Sequence, residues 1–545
     1  MKKEIVDKRT ANSKLYLIGD NRYRKEFYHS PVHYRKGDKW EEINIEVKMS
    51  RNWEFSHTVE ENIYKAYFQD LTKDNIHLVG IEYVTEDGKD LWVNYKLIDA
   101  RPAGMETYRD KVVFKDCFDN VDVEYIITPS KLKENIVLKD KTSIREFVHT
   151  LKMGGVSIRE NKEGIIIADE ETGDLLWEID PPFMVDRKGN TSYGVSYNLG
   201  QCGEYPTIAV IIEDEDFLEN AEYPVVIDPT TTVGQDGIFH KKWDANGGTS
   251  YNAGLAYMYV GARNPGNSDY TEVFSLLGFP EAVSLIQDEY VVISRAELGL
   301  FVWSESGTWA NSKNNRDPLV VYRATSPWDR DVTFQTRPTQ GTDVVWEAPV
   351  ASNGDPVDGW YNKKWLILDL TKAFRDRTTT GLYFRRKRGS HGGWRFALPY
   401  TAISGAEEDH APYLIVEYIK KPTLGFHDGD ENYYTDNQGT VFKYLNFGTL
   451  IAGQTSLPQK VYLRNLSPFA VENVSVRVDN SISPSGVQIQ ISKYNNPFVP
   501  EDYIVFDGVV LDPDEDVSFF VRIATEEGAI TGGNFPIMAK AIPRQ

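Results

Sequence analysis

Trp309, Trp360 and Trp394 are the residues best placed to meet a ligand, because each has Gly, Asn or Ser nearby. Such neighbours mark loops, and binding residues concentrate on loops. An exposed indole face stacks on the apolar face of a sugar, so the chemistry would be saccharide binding. The competing reading is core packing. Eight of the twelve tryptophans (Trp243, Trp303, Trp309, Trp328, Trp346, Trp360, Trp365 and Trp394) fall between residues 234 and 420, where packed sheets need bulky inward residues. Glycan hydrolysis would need two carboxylates across a cleft, and no pattern among the 81 acidic residues selects a pair. H-E-x-x-H, G-x-S-x-G, P-loop and G-x-G-x-x-G motifs are absent. His29 and His33 are four apart, but Pro31 between them favours extended chain over a helix that would align them for zinc. Cys117 has no His beside it in sequence. Asp428-Gly429-Asp430-Glu431-Asn432 resembles the start of a calcium loop but has Tyr433 where Gly is needed and Gly439 where Glu is needed. No catalytic residue, metal ligand or cofactor is assigned.

Composition narrows the partners. The 545 residues include 60 basic and 81 acidic side chains, a formal charge of −21. At about 150 residues per domain, three or four domains are expected. The acidic excess opposes a polyanionic partner, since phosphate contacts require Lys and Arg, so no nucleic acid is expected. The basic run Arg385-Arg386-Lys387-Arg388 reads as a solvated loop. Cys117 and Cys202 are too few for a disulfide framework. Two free thiols in a reducing compartment are expected, and the sequence leaves their pairing open. Met1 to Thr10 lacks an apolar h-region, so no secretory signal is visible. No apolar run approaches the roughly 18 residues of a membrane span, so no insertion is expected.

The elements that would position such residues are strands. Lys14–Ile18 and Arg22–Tyr28, separated by Gly19-Asp20-Asn21, form a hairpin pattern. Val121 to Ile126 alternates with period two. Gly164–Ala168 and Leu175–Ile179 flank the turn Glu171-Thr172-Gly173-Asp174, and a short helix fits near Asp214–Asn220. Val474, Val476 and Val478, then Val487, Ile489 and Ile491, then Val517, Phe519, Val521 and Ile523 repeat the strand spacing near the end of the chain. The run Tyr322 to Pro338 is the most informative. Pro327 enforces an extended entry, Val332-Thr333-Phe334 suits a strand, Pro338 stops it, and Trp328 reads as a plug between sheets.

That run, with Pro327-Trp328-Asp329, then Thr333-Phe334, then Arg337-Pro338, resembles the centre of DNRLRE-type modules. These are jelly-roll β-sandwiches of bacterial surface proteins and of phages and prophages. Ala296–Val302 upstream, and Gly381–Phe384 and Pro412–Val416 downstream, are similar to flanking strands of that family, over roughly residues 234–420. Val121–Tyr125, Lys131–Leu138, Pro181–Asp186 and Tyr223–Thr230 resemble the β-domain that precedes the module in wall-associated and RHS-type proteins. Ala11–Lys14, His33-Tyr34 and Trp40–Ile43 are similar to prophage-encoded versions. Phe447–Leu450 with Leu463–Asn465 resembles phage-associated Ig-like domains.

The resulting expectation is an all-β, multidomain chain. It comprises an N-terminal β-sandwich-like domain over 1–230, a DNRLRE-type jelly roll over 234–420 and a C-terminal Ig-like β-sandwich over 421–545. The resemblance implies scaffolding, with a structural calcium thinkable near Asp236 or Asp244 but not relied on. The expected function is a non-enzymatic component of a phage or prophage particle (tail, baseplate, fibre or head-attached), located in the virion after assembly in the host cytoplasm. Expected partners are other virion proteins, copies of itself and host cell-surface polysaccharide. Two alternatives stand beside it: a secreted or surface carbohydrate-binding adhesion protein, and a polysaccharide-degrading enzyme.

Overall fold

The computed structural model describes residues 2–19, 21–51, 54–70, 78–85, 88–101, 103–161, 164–229, 231–232, 237–244, 257–263, 271–302, 319–329, 332–347, 364–386, 393–397, 410–435, 441, 443–530 and 536–544. The described chain is nearly all antiparallel β, in several sheets around separate cores. The helices among the described residues are short: Glu215–Asn220, Pro280–Gln287 and Thr371–Arg375. The first matches the helix expected near Asp214; the Asp214 carboxylate caps it, accepting from the Phe217 amide at 2.9 Å.

An eight-stranded and an eleven-stranded sheet enclose the first core. Alternation decides what they bury. Along Val121–Ile127, Val121, Val123, Tyr125 and Ile127 are all fully buried. Lys131–Leu138 is covered on both faces, so it buries charge as well as Leu132, Ile136 and Leu138. Its Lys133 ammonium donates to Asp228 Oδ2 at 2.6 Å, with both side chains nearly inaccessible. Cys117 is buried here and Cys202 is exposed, and both are free thiols. Burial pushes the Cys117 thiol up to about 12, which keeps it protonated and unreactive near neutral pH.

The thirteen-stranded sheet departs from the sequence reading. The hairpin Ser13–Gly19 and Arg22–Tyr28 forms as expected, but it is not part of the first body. Arg22–Tyr28 pairs along its whole length with Tyr413–Lys420, from Arg22 opposite Ile419 to Tyr28 opposite Tyr413. Leu15, Tyr23 and Phe27 join the core that contains Leu298, Phe374 and Val416. Residues 3–28 therefore belong with the central sheet rather than with a domain running from 1 to 230. The apolar alternation of the hairpin specifies a buried face but not which sheet edge covers it.

A second correction concerns Val332-Thr333-Phe334. Residues 334–336 form a turn, and the strand ends earlier, at Leu319–Ala324. The Thr333 amide donates to the Thr336 hydroxyl at 2.9 Å, and the Thr336 amide donates to the Thr333 hydroxyl at 3.2 Å. These local bonds outcompete the ladder that β-propensity alone suggests. Trp328, half-buried, covers one face of the thirteen-stranded sheet rather than plugging the space between two sheets. Its indole N–H donates to the Thr380 carbonyl at 2.9 Å, and its ring lies over Gly278 and Gly381. A Cβ at either glycine would come within 2.9 Å of the indole.

Two four-stranded sheets make the last body, packing Val474, Val476, Ile489, Ile491, Phe519 and Val521 between them. Arg464 forks onto Asp516, Nε to Oδ1 at 2.9 Å and Nη2 to Oδ2 at 2.8 Å. That guanidinium holds the Asp516 carboxyl below the usual range. A depressed folded pKa means the pair stabilises above the unfolded carboxylate value near pH 4 and loses its effect as pH falls through the lower folded value. Asp516→Asn is therefore expected to be less stable than the parent at neutral pH. The difference should shrink as pH falls through that lowered folded value, as urea midpoints across the acid range would read.

Candidate functional site

A groove of about 490 Å³ opens on the outer face of the central sheet, where the N-terminal hairpin meets Tyr413–Lys420. Its position follows from strand alternation. Tyr23 and Phe27 turn into the core, so Arg24, Glu26 and Tyr28 turn outward. Their cross-strand partners are Glu417, Ile415 and Tyr413, which share that face. Tyr413 also pairs with Gly299 of Val291–Val302, and Gly299 pairs with Ile367 of Lys364–Asp369. Trp365, two residues before Ile367, therefore points the same way. A Cβ on Gly299 would fall 2.3 Å from the Tyr413 ring, so the missing side chain lets that ring lie flat on the sheet. Trp365 sits 5.3 Å from Tyr413 and meets Phe301 edge-on at 5.6 Å, which fixes its orientation. Pro31, Val32 and Pro412 also line it.

The polar groups of the groove are held in place. Glu26 accepts from Lys2 Nζ at 2.7 Å and from the Tyr28 hydroxyl at 2.8 Å, and Arg24 Nε lies 2.8 Å from it. Arg24 Nη1 is also 3.7 Å from Glu417. Burial works against ionising Glu26, yet Lys2 and Tyr28 keep its carboxyl below the usual carboxylate range. The Tyr28 hydroxyl is driven well up, by burial first and by Glu26 second. Cations and anions pair within the groove, so it presents rings and oriented polar groups rather than an excess of either charge. Its volume is that of a small-ligand site.

A second polar cluster lies inside the first body. His149 Nε2 and the Tyr125 hydroxyl both meet Glu134 Oε1, at 2.9 and 3.1 Å, with Tyr95 edge-on to His149. Glu134 and His149 come from opposite sheets, so the bond ties the sandwich together. Beside them is a cavity of about 40 Å³, room for roughly one water. These groups are inaccessible, and the arrangement is structural.

The residues singled out from the sequence fall elsewhere. Trp309 and Trp360 lie outside the described residues. Trp394 is the second residue of the strand Gly393–Ala397, opposite Val260, and its side chain lies outside the described residues. Asp236 is also outside, and Asp244 is the last residue of the strand Phe239–Asp244. His29 and His33 bond separate backbone carbonyls, of Ile238 and Thr10. Asp428 is paired with Lys443 and accepts from the Asp430 amide at 3.0 Å. The sequence reading missed Trp365, Tyr413 and Tyr28 as a group. Alternation in their strands could have placed Trp365 and Tyr413 on exposed faces, but nothing local shows that Tyr28 joins them.

No family model matches the chain, so none supports the likeness to DNRLRE-type modules. Over 480 residues the chain is 26% identical to the tRNA nuclease WapA of Bacillus subtilis (strain 168), covering 79% of this chain and 19% of that protein. The tRNA(Glu)-specific nuclease WapA of Bacillus subtilis subsp. natto gives the same identity and coverage. A wall-associated protein of Geobacillus stearothermophilus is 25% identical over 218 residues, covering 36% of this chain and 81% of that protein. The relatives are thus named either as WapA tRNA nucleases or as a wall-associated protein. The chain spans about a fifth of the length of the WapA relatives. These relatives overturn the expectation of a phage or prophage particle component located in the virion. The nuclease names also overturn the expectation that no enzyme is involved. The physical reason is that β-modules of this kind fix an architecture and not a role, so motif order does not distinguish a particle from a cell surface.

Proposed function

We propose that this chain is the wall-held portion of a surface protein whose activity is the tRNA cleavage for which its Bacillus relatives are named. One observation carries the reading. The region it shares with WapA is only 19% of that protein, whereas 81% of the Geobacillus protein, described simply as wall-associated, aligns with this chain. The relative that this chain covers almost whole is the one named for the wall, which supports wall association rather than cleavage as the role of these residues. The rigid β-bodies support such a role by offering wide, pre-formed faces. The test is co-sedimentation of the purified chain with isolated Gram-positive cell walls, run beside a tRNA cleavage assay. Retention in the pellet is expected. A chain that stays in the supernatant defeats the wall reading, and cleavage of tRNA by these residues alone would move the nuclease into this portion.

A further inference from the structure

The geometry points to the groove between Arg24, Tyr28, Trp365 and Tyr413 as a subsite for the uncharged amino-sugar glycan of the wall. This inference rests on the wall-held reading above and names the ligand. Three observations select that chemistry. First, Tyr413 lies on the sheet across Gly299 while Trp365 is braced at 5.3 Å from it, a platform for the apolar face of a pyranose. Second, Arg24, Glu26 and Tyr28 stand in one row on the adjacent strand, set by one hydrogen bond from Tyr28 to Glu26 and one ion pair between Arg24 and Glu26, to exchange hydrogen bonds with hydroxyl and acetamido groups. Third, Lys2, Arg22 and Arg24 share Glu26 and Glu417, so the row carries one cation beyond its carboxylates, too small a surplus to favour a polyanion such as a teichoic acid.

The experiment titrates a soluble tetramer of N-acetylglucosamine into the full chain by calorimetry, beside co-sedimentation with walls stripped of teichoic acid. Saturable binding is expected. Trp365→Ala should weaken it ten-fold or more and Arg24→Gln several-fold, with both variants pelleting less with stripped walls. Because Trp365 is half-buried, melting curves check the fold, and Arg24→Gln with Tyr28→Phe keeps the test alive if Trp365→Ala fails to fold. Unchanged affinity in the folded variants, or no binding by the parent chain, overturns the subsite. Pelleting with intact walls but not with stripped ones overturns it in favour of a polyanionic ligand while leaving wall association standing. Failure to pellet with either defeats wall association, and the tetramer titration then judges the groove alone.

Discussion

A chain lacking residues 1–30 is expected to lose the central body while keeping the first. Seven register pairs join Arg22–Tyr28 to Tyr413–Lys420, so the deletion strips a neighbour from an interior strand of the sheet. It also removes Leu15, Tyr23 and Phe27 from the core, each less than a tenth exposed. At about 1.5–3 kcal/mol for each buried side chain, the loss is about 5–9 kcal/mol. That is comparable to the whole stability of an ordinary domain, about 5–15 kcal/mol. Tyr418, which stacks on Tyr23 at 5.4 Å, would be uncovered along with a newly unpaired edge that invites aggregation. Calorimetry should show the central transition gone and the transition of the first core retained. Limited proteolysis should cut within residues 271–420 and spare residues 78–229. An unchanged central transition would show that the hairpin is dispensable.

Asp228→Ala is expected to destabilise the first body by about 3–5 kcal/mol, because it strands the Lys133 ammonium in a dry interior. Lys133 and Asp228 are 6% and 4% exposed, so water cannot replace the lost carboxylate without opening the sheet. The effect should come from the unpaired charge more than from the lost bond. The double variant Lys133→Met/Asp228→Leu should therefore recover much of the loss, which a sum of two independent deletions would not do. Denaturant midpoints at unchanged slope measure this. A single-variant loss below about 1 kcal/mol would mean that the ammonium finds solvent, and the pair would then rank with surface bridges.

Much of the secondary structure was legible in the residues themselves. Val121–Ile127, the hairpin at Ser13–Tyr28 and the valine and isoleucine alternations of the last body all follow from period-two patterning, which is a property of the strand and needs no partner. The Asp214 cap is likewise local. Failure came where a local preference met a competing local bond, as at Thr333 and Thr336.

By itself, then, the amino-acid order determined an all-β chain with several cores and an acidic surface, because alternation and charge are written residue by residue. Only the tertiary structure decided that the first hairpin completes a sheet whose neighbouring strand lies near residue 420, and hence that Tyr28, Tyr413 and Trp365 share one groove. The reason is that a strand edge offers the same backbone donors and acceptors to every partner. Which edge it meets depends on shape and burial across the whole fold, and no spacing along the chain records that.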